Sequence, residues 1–257
     1  MRRIFLTQLS NAGGGVGHQF SNWATAFTLA KQYGLTFVHQ PIRIWDDFLG
    51  LGIGEVQYES VKQLPLVVVP LLNFETDEGH ARFKQIVDST PDNTLLHLYS
   101  DQHSANLIAR ADELRDKYWR NRSDYPVGVP WSGSGARIAV HVRRGDLMNW
   151  TAEERAGRFL PNEYFIKILR SITQGIAGYE IHVFSQSELE GVRDFDELPH
   201  VFYHLNGNDF EAFHALAGAD ILLVSKSGFS YLAGIVNKGI KYAPPDYWSK
   251  IPEGWIK

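Results

Sequence analysis

Cysteine is absent from this chain of 257 residues, so disulfides and thiolate metal sites are excluded, in agreement with a reducing compartment. An excess of charge of one sign is missing too. The formal net charge of -4 and the pI near 6.2 provide no electrostatic footprint for nucleic acid. The apolar start of the chain is too short for a signal peptide or a membrane span. These absences predict a soluble, cytoplasmic protein with no integral membrane segment and no nucleic-acid partner.

Several common enzyme signatures are also missing. No pair of histidines stands in the His-Glu-x-x-His context of a zinc protease, and no Gly-x-Ser-x-Gly elbow of an α/β-hydrolase is present. The glycine-rich turn at 13–17 lacks the dinucleotide spacing, since the place of the third glycine falls on His18. That turn either shapes a ligand site or is only a tight connection. We expect no bound metal.

Apolar residues are abundant, at 44% hydrophobic and 13% aromatic, which is enough for one large domain or two compact lobes. Short apolar runs alternate with helical periodicity, as is typical of βα units and a mainly parallel sheet. The predicted strands are 4–9, 35–39, 66–69, 95–99, 137–143, 180–184, 200–204, 221–224 and 241–243. The predicted helices are 18–33 with Gly34 as C-cap, 106–119, 162–172, 187–195, 209–217 behind Asn208, and 228–237. A segment rich in proline, glycine and serine at 121–135 is the predicted linker.

Two arginines directly follow a predicted strand. They lie in His141-Val142-Arg143-Arg144-Gly145-Asp146, immediately after an apolar run. Ligands of open α/β sheets bind at the carboxyl ends of the strands, and a guanidinium fork suits a pair of phosphate oxygens. We interpret this segment as an anion site. The alternative is a solvated ion pair between an arginine and Asp146 or a nearby acid.

A second anion-binding signature follows the strand at 221–224. It is Val224-Ser225-Lys226-Ser227-Gly228-Phe229-Ser230, which opens a predicted helix. A strand, a turn of small residues and a helix start offer backbone N–H groups, hydroxyls and the positive end of a helix dipole, which suits a diphosphate. Taken alone, the turn could be an ordinary serine N-cap. Two such segments on strands of one sheet favour the anion site.

The ordered motifs of the chain resemble those of fucosyltransferases that use GDP-fucose. The similarity is closest to the α1,2-fucosyltransferase group and its relatives with the His-x-Arg-Arg signature. The matching segments, in order, are residues 14–20, 26–31, 141–146, 160–165, 209–216 and 227–230. The resemblance implies a GT-B architecture of two facing, Rossmann-like, doubly wound lobes. Residues 1–130 would form the acceptor lobe, and residues 131–257 the lobe that binds the nucleotide sugar.

The resemblance also implies roles for single residues. Arg143 contacts the donor diphosphate and stabilises charge on departing GDP, while Arg144 supports the loop. Asp209 contacts the guanine or the ribose. The complete set implied at the donor is His141, Arg143, Arg144, Asp209, Ser227, Gly228 and Ser230. The family usually has asparagine at the place of His18, and two aromatic residues where Tyr231-Leu232 stand.

The implied reaction is an inverting transfer of fucose from GDP-fucose to a hydroxyl of a glycan acceptor. Positive side chains would stabilise the leaving diphosphate, so we expect neither a metal nor a cofactor. The candidate catalytic residues are Arg143, Asp146 and His18, the last two as bases. Alternatively, Asp146 holds Arg143 in place, and His18 caps its helix or binds a backbone group. Two other functions stay open: a GT-B transferase of another nucleotide sugar, and an inactive glycan- or nucleotide-binding relative.

Overall fold

The structure is a computed structural model that describes residues 3–8, 15–99, 104–122, 127–132 and 135–257. The chain forms two compact units, Met1–Tyr125 and Pro126–Lys257. Each unit contains one five-stranded sheet in which all the paired strands are parallel. The predicted α/β class with two Rossmann-like lobes is confirmed.

The first unit alternates strands and helices along the chain. Its elements are β1 (Ile4–Gln8), α1 (Val16–Tyr33), β2 (Thr36–His39), α2 (Asp46–Leu49), β3 (Val56–Gln57), β4 (Leu66–Val69), α3 (Asp77–Ser89), β5 (Thr94–Leu98), α4 (Ser104–Ala109) and α5 (Ala111–Arg120). The strand order is β3-β2-β1-β5-β4. Three differences from prediction concern the helices: α2 and α3 were not predicted, and the single helix predicted at 106–119 is divided at Arg110 into α4 and α5.

Helix α1 is the central helix of this unit. Every residue from 20 to 30 is buried, because α1 packs on β1 and β2 and against α4. Trp23 stacks on Phe27 with ring centroids 4.8 Å apart and meets the edge of Phe37 at 5.0 Å. The helix ends where predicted, at Gly34, whose φ of 66° is the left-handed conformation that favours glycine.

The second unit has a similar alternation. Its elements are β6 (Ala136–His141), α6 (Ala152–Ala156), α7 (Asn162–Thr173), β7 (Tyr179–Ser185), β8 (Val201–Leu205), α8 (Asp209–Gly218), β9 (Ile221–Leu223), α9 (Gly228–Val236) and β10 (Ile240–Tyr242). The helix predicted at 187–195 is wrong. Two 3-10 turns, Leu189–Gly191 and Arg193–Glu197, occupy this stretch instead, on either side of Val192, whose φ of -134° is not helical.

The second sheet has the strand order β10-β9-β6-β7-β8. From β6 the chain first builds outward through β7 and β8, and then returns to place β9 and β10 on the other side of β6. One face of the sheet packs on α7 through a core that includes Ile138, Val140, Ile181 and Val183. The order therefore reverses between β6 and β9, which is the point where open α/β sheets bind ligands.

Candidate functional site

The two segments singled out in the sequence meet at this reversal point. Strands β6 and β9 are parallel neighbours, so the segments that follow them leave the same edge of the sheet. A guanidinium nitrogen of Arg143, Nη1, donates to the carbonyl oxygen of Lys226 at 3.2 Å. His141 Nδ1 and Ser225 Oγ are 2.6 Å apart. The arginine segment and the serine turn thus form one site.

The guanidinium of Arg143 is held by the exposed carboxylate of Asp146. Its Nε and Nη2 donate to the two oxygens of Asp146 at 3.3 and 2.8 Å. The Arg143 side chain is 18% exposed and that of Asp146 is 56% exposed. The ion pair that the sequence left open is therefore present. It orients the guanidinium, and the bond to Lys226 ties Arg143 to the serine turn.

Arg144 has a different environment from its neighbour. It is 5% exposed, and Nη2 donates to Asn162 Oδ1 while Nη1 donates to the Arg143 carbonyl oxygen at 2.9 Å. Asn162 in turn donates to the Gly191 carbonyl oxygen and to Asp194. Burial lowers the pKa of Arg144 to about 10, and the charge of Asp194 acts in the opposite direction. These contacts anchor the loop on the body of the unit.

His141 is a neutral hydrogen-bonding group of the site. Desolvation by the surrounding protein, followed by the positive charges of Arg143 and Arg144, lowers the pKa of its imidazole to about 3. Its ring lies 5.5 Å from that of Phe229, the second residue of α9. A neutral imidazole adds no charge to the site, but it fixes the hydroxyl of Ser225 beside the start of α9.

The start of α9 has no side-chain cap. Ser227 stands at the N-cap position, but its side chain makes no capping hydrogen bond, and the first turn contains no acidic residue. The serine N-cap alternative is therefore not realised through the side chain. Ser230 is fully buried, and its hydroxyl lies 3.4 Å from the carbonyl oxygens of Ser225 and Ser227. The N–H groups of the first turn, beginning at Gly228, and the helix dipole together favour a negative ligand.

Asp209 lies on α8, a helix that packs on α9. It is the exposed first residue of α8, next to Asn208, whose side chain accepts from the N–H groups of Phe210 and Glu211 as predicted for a cap. Helix α8 follows β8, at the edge of the sheet, whereas Arg143 follows β6. Within the described ranges, no hydrogen bond or ion pair joins Asp209 to Arg143 or to the serine turn. Its predicted contact to guanine or ribose stays a prediction.

His18 belongs to the first unit. Helix α1 begins at Val16 with Gly15 as N-cap, so His18 is a half-buried residue within the first turn, and its N–H donates to the Gly15 carbonyl oxygen at 3.0 Å. The predicted helix start at residue 18 is two residues late, and the N-cap residue is Gly15. Of the glycine-rich turn predicted at 13–17, Gly13 and Gly14 lie outside the described residues, Gly15 is the N-cap, and Val16 and Gly17 belong to α1.

Sequence reasoning missed three residues beside the site. Lys226 is 5% exposed and donates from Nζ to Asp246 Oδ2 at 2.5 Å. The hydroxyl of Tyr247 donates to the Ser227 carbonyl oxygen at 3.1 Å. The guanidinium of Arg158 lies 4.0 Å from the ring centroid of Trp248. Lys226 could have been found as a cation within the serine turn, but the sequence does not indicate which partners lie next to Lys226 and Arg158.

The cations of the site affect each other. The pKa of Arg158 is lowered by burial and then by the charge of Arg143. Among the residues that the structure describes, Arg158 has no ion-pair partner, while Arg143 and Lys226 are each paired with an exposed carboxylate. The switch point of the second sheet therefore holds a cluster of positive side chains. Two of them, Arg143 and Lys226, form ion pairs with exposed carboxylates.

No family model matches the chain, and no curated protein matches it in sequence. Among solved structures, it is similar to POFUT1 in complex with GDP-fucose, with 10% identity, coverage of 97% of this chain and 98% of that chain, and a TM-score of 0.52. It is also similar to POFUT1 in complex with GDP, with 11% identity, coverage of 95% of this chain and 99% of that chain, and a TM-score of 0.52. The fucosyltransferase NodZ from Bradyrhizobium has 14% identity, coverage of 92% of this chain and 94% of that chain, and a TM-score of 0.46. The likeness shows the fold, and the predicted GT-B fold class is confirmed.

In the described part of the chain, no group of three or more histidine, aspartate or glutamate side chains is arranged to hold a metal ion. No helix within the same residues combines the length and the apolar character that a membrane span requires.

Proposed function

We propose that the protein is an inverting glycosyltransferase that moves fucose from GDP-fucose to a hydroxyl of a glycan acceptor, without a metal. The observation that carries this proposal is the pairing of Arg143 with the uncapped start of α9 at the switch point of the second sheet. The GDP-fucose resemblance of the motifs supports the donor, as do the structures of the same fold that contain GDP or GDP-fucose. In this proposal, residues 131–257 bind the donor and residues 1–130 bind the acceptor.

The reaction breaks the bond between the anomeric carbon and the diphosphate, and its electron pair leaves with GDP. The acceptor oxygen forms the new bond to the anomeric carbon and loses its proton to a base. Negative charge grows on the diphosphate as the bond breaks, so Arg143 and the α9 N–H groups would stabilise the transition state more than the ground state. These fixed positive groups take the role that a metal ion has in other transferases.

Asp146 and Arg143 act as a unit in this proposal. Because both carboxylate oxygens accept from the guanidinium, Asp146 is better suited to holding Arg143 than to taking a proton. His18 is then the proposed base for the acceptor hydroxyl. Replacing His18 with alanine should lower kcat for transfer and leave GDP affinity unchanged, and an unchanged kcat or a loss of GDP affinity would argue against this role.

The direct test is a nucleotide panel followed by a turnover assay. GDP and GDP-fucose should raise Tm, while UDP, UDP-glucose and NAD should not. A ligand at a hundredfold excess over its Kd stabilises the folded state by about 2.7 kcal/mol, which moves Tm by several degrees at this chain length. GDP-fucose should then be consumed when a set of glycan acceptors is supplied, and EDTA should not abolish the reaction.

Each of the other outcomes would favour a different function or mechanism. A response to UDP-sugars with none to GDP would replace the donor and keep the GT-B transferase. A GDP shift without turnover on any acceptor would favour the inactive binding relative. Loss of activity in EDTA with rescue by Mn²⁺ would contradict the metal-free mechanism.

A further inference from the structure

The ion pair between Lys226 and Asp246 is unequal. The Lys226 side chain is 6% exposed, whereas that of Asp246 is 69% exposed. The hydrogen bond from Lys226 is the largest cause of the lowered pKa of Asp246. The ammonium is thus out of water, while its carboxylate partner is mostly in water.

We propose that Lys226 is a second phosphate-binding cation of the donor site, and that Asp246 is a counter-ion which the donor diphosphate replaces. The inference rests on the proposed function of the same site. It adds a binding residue to the arginine segment and the serine turn, and it states what occupies that residue before the donor arrives.

The place of Lys226 in the turn supports this role. Its carbonyl oxygen accepts from Arg143 Nη1, and the next residue, Ser227, is the N-cap of α9. Lys226 therefore lies between the guanidinium and the helix N-terminus that are proposed to hold the diphosphate. An ammonium has three N–H donors. Only one of them is used in the bond to Asp246.

The burial of the pair explains why an exchange is favoured. A desolvated cation left without a partner is strongly destabilising, whereas a carboxylate in water gives up a single ion pair at little cost. Lys226 therefore needs an anion but does not need Asp246 in particular. Arg143 shows the same asymmetry with the exposed Asp146, so a diphosphate with several oxygens could satisfy both cations together.

The segment that carries Asp246 has its own anchors. Tyr247 donates to the Ser227 carbonyl oxygen at 3.1 Å, and its ring stacks on that of Tyr231 at 5.2 Å. Tyr231 donates in turn to the Lys250 carbonyl oxygen at 2.7 Å. Removing the charge of Asp246 should therefore leave the segment in place, and the amide oxygen in Asp246→Asn can still accept a hydrogen bond from Lys226.

The test is calorimetric titration of the full chain with GDP and, separately, with inorganic pyrophosphate. Asp246→Asn should tighten the Kd for both by about two- to fivefold, because the ligand no longer competes with the carboxylate. Lys226→Met should weaken both by about tenfold or more, and Lys226→Arg should restore most of the loss. In the Lys226→Met background, Asp246→Asn should have no further effect. Asp88→Asn, which breaks the exposed Lys84–Asp88 pair of α3, is the matched control and should change neither Kd.

The inference is overturned if Asp246→Asn binds both probes as the unchanged chain does, or more weakly. It is also overturned if Lys226→Met keeps the original affinity, or if the unchanged chain binds no pyrophosphate. Failure of the proposed function looks different: the chain would bind pyrophosphate with these variant effects and not bind GDP. Should Lys226→Met not fold, the response of Asp246→Asn decides alone.

Discussion

Each sheet reverses its strand order beside its first strand, but the two sheets carry different side chains at the reversal. In the second unit the reversal lies between β6 and β9, and Arg143, Lys226 and Arg158 surround it. In the first unit it lies between β1 and β5. There Gln8, the last residue of β1, donates to the Gln40 carbonyl oxygen at 3.1 Å, and Gln40 Nε2 lies 3.4 Å from His97 Nε2.

The side chains named at the first reversal are neutral. Gln8 and Gln40 are amides, and burial lowers the pKa of His97, which keeps its imidazole uncharged at neutral pH. Amides and a neutral imidazole both donate and accept hydrogen bonds, as sugar hydroxyls require, whereas guanidinium and ammonium groups only donate and carry charge. One fold thus offers two ligand chemistries. We infer that the charged edge takes the donor and the neutral edge takes the acceptor.

The largest expected effect comes from removing the cation that defines the charged edge. Arg143→Ala should lower turnover about 10²- to 10³-fold and weaken GDP binding by about 1.5–3 kcal/mol, because a charge-assisted contact to the diphosphate is lost. Steady-state kinetics and calorimetry with GDP measure the two losses. Arg170→Ala, which breaks the surface pair with Glu197 in the same unit, is the control and should change neither. Near-native turnover and affinity in Arg143→Ala would remove the charged edge from the mechanism.

Replacing the adjacent Arg144 should lower the stability of the protein more than its affinity for GDP. Arg144→Ala should lower the free energy of unfolding by about 1.5–3 kcal/mol, because it leaves the buried Asn162 without its charged donor. Urea unfolding measures this loss. GDP affinity of the folded variant should fall much less than in Arg143→Ala. If Arg144→Ala weakened GDP as strongly and kept its stability, the roles of the two arginines would be exchanged.

The sequence predicted the charged edge better than the neutral one. Parallel strands followed by charged or small residues place those residues at one edge, so Arg143 and the serine turn could be predicted to meet. The ion pair between Lys226 and Asp246 could not be predicted, because it depends on how the chain after β10 packs against α9. The neutral contacts of Gln8, Gln40 and His97 were also missed, since amides and single histidines have no spacing that marks a site.

The errors in the helices have local causes. Helix α3 buries only Gly79, Phe83 and Val87, which is too few apolar positions for a clear helical period. The break at Arg110 has no glycine or proline to mark it. In the stretch predicted as a helix at 187–195, the structure buries Val192 and Phe195 through 3-10 turns, which repeat every three residues rather than every 3.6.

Lowering the pH should reduce the stability of the second unit more than that of the first, by a smaller amount than the substitutions above. Among the described residues, the second unit holds three histidines with a lowered pKa, namely His141, His182 and His204, and the first unit holds His97. Each is less basic in the folded state than its ordinary value near 6.5, so the unfolded chain binds more protons below that pH. Stability is therefore present above about pH 6.5 and is lost as the pH falls through it.

For His141, with a folded pKa of about 3, the loss between pH 7.5 and 5.5 is on the order of 1 kcal/mol. Hydrogen-exchange protection, corrected for intrinsic rates, should fall more in β7 than in β1 over this range. His204→Phe should reduce the fall, because the phenyl ring keeps the stack with Phe184 and His182 and does not titrate, while the hydrogen bond between the two histidine rings is lost at every pH. Equal losses in both units would show that these histidines do not set the acid response.

The smallest expected effect tests the neutral edge itself. Gln40→Ala removes the amide beside His97 and should raise the KM for the acceptor a few-fold, since a neutral hydrogen bond contributes about 0.5–1.5 kcal/mol. The Kd for GDP should stay within about twofold of the original value, because no cation of the second unit is changed. Initial rates over a range of acceptor concentrations, at saturating donor, measure the first quantity, and calorimetry measures the second. Gln57→Ala, an exposed glutamine of β3 in the same unit, is the matched control and should alter neither. If Gln40→Ala weakened GDP and left the acceptor KM unchanged, the donor would bind at the neutral edge, and the assignment of ligands to the two units would have to be reversed.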